Sequence, residues 1–151
     1  WNKVPFQMLI MPPINLSYFE QEETVSMMKD WEFLNDRQVF WALSWDMNGK
    51  LLNRIPLIKK LKWREWLAIK GVYGHLTDKN NPFLEKNKND DTIFLFPKGS
   101  DVMGNTPYWE CVVGVHNIFK FFAVEYVRRL TYINRPGIHK GGVRFNFMMS
   151  F

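Results

Sequence analysis

Apolar and polar residues alternate one by one along much of the chain, rather than recurring at helical spacing. Residues 37–47 set Val39, Trp41, Leu43, Trp45 and Met47 on one parity and Gln38, Phe40, Ala42, Ser44 and Asp46 on the other. That is a strand with one wholly apolar and one mixed face. Residues 62–75 repeat the arrangement, with Leu67, Ile69 and Tyr73 against Arg64, Trp66, Lys70 and Gly74; only Glu65, near the end, breaks it. Residues 108–116 oppose Trp109, Cys111, Val113 and Val115 to Tyr108, Glu110, Val112, Gly114 and His116. Residues 122–132 oppose Phe122, Val124, Tyr126, Leu130 and Tyr132 to Ala123, Glu125, Val127, Arg129 and Thr131, and put Arg128 on the apolar side, where it needs an interfacial position. Residues 142–151 end the chain with Val143, Phe145, Phe147, Met149 and Phe151 against Gly142, Arg144, Asn146, Met148 and Ser150.

The pattern predicts an all-β fold, an antiparallel meander of five strands. Each segment has roughly the 9–11 residues that a tilted strand needs to cross a bilayer. A soluble sheet with one wet face alternates in the same way, so the connections must discriminate. With Phe151 placed at the periplasmic end, 11–36, 76–107 and 133–141 lie outside, while 48–61 and 117–121 lie inside. Long outer loops with shorter inner ones are the asymmetry of outer-membrane barrels. The expected architecture is therefore the C-terminal part of a transmembrane β-barrel. Residues 1–36 form a long loop or a segment folded into the lumen, and 37–151 supply the barrel strands.

The inner connection is longer than a turn. After Asn48-Gly49, the residues Leu51, Leu52, Ile55, Ile58 and Leu61 recur near helical spacing with Arg54, Lys59 and Lys60 between them. A short basic amphipathic helix on the inner leaflet and a segment packed under the barrel both fit, and Pro56 weakens a continuous helix. Composition points the same way as the strands. Aromatic residues make up 17% of the chain, more than a soluble core requires and usual where side chains line lipid–water interfaces. No run of about 18 apolar residues exists, which excludes a transmembrane helix but not a barrel. The chain opens at Trp1 without a signal peptide, so it is expected to be a fragment of an exported parent. A single cysteine, Cys111, leaves no internal disulfide or paired-thiolate metal site.

Catalysis has no local signature: no phosphate-binding glycine loop, zinc-type histidine pair or nucleophile elbow occurs. No cofactor and no metal are expected. His75, His116 and His139 are scattered, and a Ser44–His116 dyad on the mixed parity lacks a third member. Charges of the mixed parity, Asp46, Arg64, Lys70, Glu110, Glu125, Arg129 and Arg144, carry both signs. They read as a paired network that braces a lumen rather than as an ion-selective pore. Partners for Glu125 and Arg129 are expected on neighbouring strands, with Glu110 and Arg144 as candidates. Trp41, Trp45, Trp63, Trp109, Tyr126 and Tyr132 would form the interfacial aromatic girdles, although in a soluble fold they would be core. Arg128, Arg135 and Lys140, with His139, could meet lipopolysaccharide phosphates or simply be solvated.

Several stretches resemble a known family. They are Trp1-Asn2-Lys3-Val4-Pro5-Phe6, Glu32-Phe33-Leu34-Asn35-Asp36-Arg37, Asn53-Arg54-Ile55-Pro56-Leu57-Ile58-Lys59-Lys60-Leu61-Lys62-Trp63-Arg64-Glu65, Tyr73-Gly74-His75-Leu76-Thr77-Asp78-Lys79-Asn80, Asn117-Ile118-Phe119-Lys120-Phe121 and Arg129-Leu130-Thr131-Tyr132. Together they resemble the C-terminal barrel of a Bacteroidota outer-membrane family that joins a carboxypeptidase-regulatory-like domain to a barrel of uncharacterised function, distantly like BamA-type insertase barrels. The resemblance implies a Gram-negative outer-membrane location and a larger parent, and it implies no established activity. Lys140-x-Gly142-x-x-Phe145-x-Phe147 with terminal Phe151 resembles the signal by which barrel-assembly machinery recognises its clients.

The function expected is transport, assembly or scaffolding in the outer membrane. Its partners would be lipid, lipopolysaccharide, the assembly machinery and the remaining strands of the parent barrel. A barrel hydrolase is the alternative, and a soluble basic β-domain binding nucleic acid is the second. The net charge of +5 permits the latter. Basic and aromatic residues fall mostly on opposite parities, however, which disfavours a stacking platform, and no nucleic-acid partner is expected.

Overall fold

The computed structural model describes residues 3–88 and 96–147. Five strands, β1 (Arg37–Asp46), β2 (Arg64–His75), β3 (Tyr108–Ile118), β4 (Phe122–Arg129) and β5 (Gly141–Phe147), form one antiparallel sheet in sequence order. The meander expected from the alternation is present, and the sheet is open: β1 and β5 lie at opposite ends of it. None of the described helices is long and apolar enough to cross a membrane.

Register carries each parity onto one face. Trp45, Leu67, Val113, Tyr126 and Val143 form a continuous row across all five strands on one side. On the other side run the row Ala42, Lys70, Glu110 and Arg129 and, two residues further along β1, the row Ser44, Ala68, Val112, Val127 and Gly142. The apolar side is uncovered: Val39, Leu43, Trp45, Ile69, Val113, Tyr126, Val143 and Phe147 are all exposed. The mixed side is covered by the N-terminal segment and by the connection before β3. Val25, Met28 and Phe33 pack there on Val72, Tyr108 and Met103, and Met27 packs on Val112 and Val127. Hydrophobic burial thus lies between the sheet and its covering segment, and the segment's own backbone is tied in at Ile10–Asn35, Ile14–Val25 and Phe33–Asp101.

The entry into β1, the exit from β2 and the connection from β4 to β5 share one end of the sheet. Residues 47–63 and 119–121 share the other. At this second end Asn48 (φ 52°) and Gly49 (φ 79°) turn the chain after β1. A single 3-10 turn at Leu52–Arg54 precedes α1 (Pro56–Leu61). A continuous helix over 51–61 does not form: Pro56 sits in the first turn of α1, where its missing N–H costs nothing, and Lys62 at φ 54° ends it. Neither the helix nor the 3-10 turn buries a residue.

Two glycines are required by close approach. A Cβ at Gly71 would enter the ring of Trp41, its partner across β1 and β2, and a Cβ at Gly74 would enter the buried carboxamide of Asn35. One strand is shorter than its alternation suggests. The chain leaves β4 after Arg129, and Tyr132, at φ 55°, turns inward to pack its ring, tilted by 60°, against Phe33 at 5.0 Å between ring centres.

Candidate functional site

The covered face holds a set of charges removed from water, and the N-terminal segment supplies most of their partners. Arg129 is 1% exposed and makes a two-pronged contact with Glu32, Nη1 to Oε2 at 2.9 Å and Nη2 to Oε1 at 2.6 Å. The planar fork matches the carboxylate, the geometry that gives such pairs their strength. Its remaining donors reach the carbonyls of Thr131 and Met27, and the guanidinium lies 4.8 Å from the ring centre of Tyr108. Arg135 extends the cluster, 3.7 Å from Glu32 and 2.6 Å from Asp101.

Glu110, fully buried, accepts the backbone N–H groups of Ser26 and Met27 and the hydroxyl of Tyr108. Lys70 is paired with Glu20 and donates further to the carbonyls of Gln21 and Thr24. Glu125 meets His116 Nε2 at 2.7 Å, and the imidazole is stacked on Trp66 at 4.8 Å. A cavity of 190 Å³ lies beside this part of the sheet, bordered by Glu20, Glu22 and Glu23. Glu125 lines it, and its second carboxylate oxygen is buried without a hydrogen-bond partner among the described residues.

The structure therefore places Lys70, Glu110, Glu125, Arg129 and Arg144 on one face as the alternation requires, but it corrects the expected partners. Glu110 stands directly opposite Arg129, and Arg144 opposite Glu125, in register. The side chains turn elsewhere: Arg129 goes to Glu32, and Arg144 goes to the carbonyls of Ser26 and Val143. A carboxylate and backbone groups brought in by the covering segment satisfy more donors and acceptors than a strand-to-strand pair would. Asp46 and Arg64 lie at the sheet's open end, exposed and 3.8 Å apart.

Ser44 and His116 are not brought together. Ser44 is opposite Ala68 and His116 opposite Arg64, about 13 Å further along β2 at roughly 3.3 Å per residue. Among the described residues no group of His, Cys, Asp and Glu side chains could hold a metal ion.

Of the aromatic residues, Trp41 and Trp109 meet edge to face at 4.9 Å on the uncovered side, where Trp45 and Tyr126 also lie. Trp63 lies between α1 and β2. Tyr132 departs from its expected girdle position. It packs on the core, donates its hydroxyl to Thr106, and burial pushes its phenol above the usual tyrosine value. Arg135, expected as a surface cation, is committed to Glu32, Asp101 and the rings of Phe33 and Tyr132, whereas Arg128 and Lys140 are exposed. Gly142, Phe145 and Phe147 all lie in β5; Phe151 falls outside the described residues. The outer edge of β5 is partly occupied by the covering segment. Phe145 N–H donates to the Tyr18 carbonyl, and Glu20 N–H donates to that of Phe145, both at 2.8 Å.

Sequence reasoning missed Glu32 and Asp101. The available signal for Glu32 was its place directly before Phe33-Leu34, since a carboxylate in an apolar setting demands a partner. Asp36, just before β1, shows the same economy. Burial alone would raise its carboxyl, but hydrogen bonds from the Thr77 side chain and N–H and from Asn80 outweigh that and hold it below the usual carboxylate value. No protein-family model, curated protein or solved structure matches the chain.

Proposed function

We propose that this chain forms part of the wall of an outer-membrane β-barrel, with the uncovered sheet face against lipid acyl chains and residues 3–36 packed into the lumen. One observation carries the reading, an inversion of the soluble pattern. Val39, Leu43, Trp45, Val113 and Phe147 are exposed by more than half, whereas Lys70, Glu110, Glu125 and Arg129 are at most 2% exposed on the opposite face. Burying each apolar side chain is worth about 1.5–3 kcal/mol, so leaving this face in water forfeits on the order of 10 kcal/mol, comparable to the stability of a whole domain. Further strands joined to the edge of β1 and to the part of the β5 edge that residues 18–20 leave free would close the barrel.

The resemblance to the Bacteroidota outer-membrane barrel family supports the same reading, and the activity inferred is transport, assembly or scaffolding. The braced charges of the covered face suit a filled lumen better than an open conduit. The test is reconstitution of the chain with lipids carrying a bromine or nitroxide quencher at mid-chain, read from tryptophan emission. Strong quenching is expected. Full emission, together with tight binding of a single-stranded oligonucleotide, would overturn the proposal in favour of the soluble nucleic-acid domain.

A further inference from the structure

The end of the sheet carrying residues 47–63 and 119–121 has an unusual surface. In α1 the exposed Leu57 (78%) and Leu61 stand one turn apart, flanked by Lys59 and Lys60, with exposed Leu51 and Ile55 before them. Arg54, Lys59, Lys60 and Lys120 have no acidic partner among the described residues, since nearby Asp46 is paired with Arg64 and Glu65 accepts the N–H groups of Leu51 and Leu52. The two connections are joined, Asn117 donating its amide to the Lys62 carbonyl at 2.6 Å.

A second observation comes from the hairpin between β3 and β4. Phe119 (φ 51°) and Lys120 (φ 73°) both adopt the left-handed conformation that such a turn demands and that Asn-Gly would adopt with little strain. The strained pair presents an aromatic ring that is 78% exposed beside a lysine. Backbone strain of this kind persists where the side chains themselves are needed.

We propose that this end of the molecule docks on an anionic phospholipid surface, with Leu57, Leu61 and Phe119 entering the headgroup boundary and Arg54, Lys59, Lys60 and Lys120 meeting the phosphates. Apolar side chains mixed with unpaired cations on a short helix and a turn are complementary to such a surface. The site is continuous with the uncovered sheet face through Trp45, whose ring lies 5.9 Å from the Lys50 ammonium. The orientation rests on the membrane reading of the sheet.

The test uses the full chain with Cys111→Ser and one cysteine bearing a polarity-sensitive fluorophore, at Leu57→Cys or at Leu43→Cys. The protein is held in zwitterionic micelles and titrated with short-chain phosphatidylglycerol. The label at 57 is expected to shift to the blue with phosphatidylglycerol, and a hydrocarbon-bound quencher is expected to reach the label at 43. Each lysine near an anionic surface contributes about fivefold in affinity, so Lys59→Gln with Lys60→Gln should raise the half-maximal concentration roughly thirtyfold. If the label at 57 stays water-exposed while that at 43 is quenched, the docking surface is wrong and the membrane-spanning sheet stands. If 57 shifts but 43 is not quenched, the docking surface stands and the spanning sheet falls. An equal shift with inorganic phosphate or an oligonucleotide would overturn the assignment to lipid.

Discussion

Arg129 and Glu32 set the energetics of the covered face, because each is buried and each satisfies the other. Truncating one member of such a pair leaves an uncompensated charge, costing about 3–5 kcal/mol. Arg129→Ala and Glu32→Ala should therefore each lower the unfolding midpoint in micelles, and the double variant should cost much less than the sum. Additive losses in a double-mutant cycle would show that the two side chains do not act as a pair. Asp36 gives a pH signature. Its folded value lies below the usual 3.8, so its contribution is complete above that pH and is lost as pH falls through the folded value. An acid titration should show the junction at Thr77 loosening below about pH 3.8 in the native chain and no such step in Asp36→Asn. The face occupied by Lys70, Glu110, Glu125 and Arg129 was legible in the sequence, because parity along a strand fixes it. Their partners were not. A local pattern cannot report that Arg129 bonds to a residue 97 positions earlier.

The strands were legible to within a few residues, since a period of two is a strong signal over ten positions. The inner connection between β1 and β2 was less so. Leu51 to Leu61 keep helical spacing, but Pro56 starts a helix rather than interrupting one, a distinction that depends on backbone angles in the preceding turn. Tyr132 was misplaced for a related reason: its parity continued β4, but the strand ends at Arg129 and the positive φ of Tyr132 belongs to the turn that follows. The hairpin of β3 and β4 yields a prediction at this level. Replacing Phe119-Lys120 by Asn-Gly should relieve backbone strain and stabilise the sheet by about 1–3 kcal/mol, measured by chemical denaturation. The same change should weaken the response to phosphatidylglycerol. Gly74→Ala should act in the opposite sense, costing about 1–3 kcal/mol, because its methyl would enter the Asn35 carboxamide and overpack a filled site.

Across the whole molecule, the uncovered apolar face and the edge of β1, which has no strand beside it among the described residues, both invite association. In plain buffer the chain is expected to self-associate, and light scattering after gel filtration would show it; a stable monomer would mean that the face tolerates water. Leu43→Lys with Val113→Lys should reduce that association and also block insertion into bilayers, each lysine costing about 2–4 kcal/mol at the membrane midplane. The covering segment was anticipated only as one of two alternatives, since nothing in 1–36 alternates and its place follows from contacts with distant strands. Those contacts also bear on timing. Ser26 meets Glu110, 84 residues later, and Met27 meets Arg129, 102 residues later. Within this chain residues 26–32 therefore lack these partners until β3 and β4 exist, although Glu20 and Thr24 can already meet Lys70 of β2. Until then the Glu32 carboxylate and the backbone N–H groups of Ser26 and Met27 must stay hydrated. Addition of β3 and β4 to the sheet and docking of residues 26–32 are then coupled, and the long loops they close make that step slow.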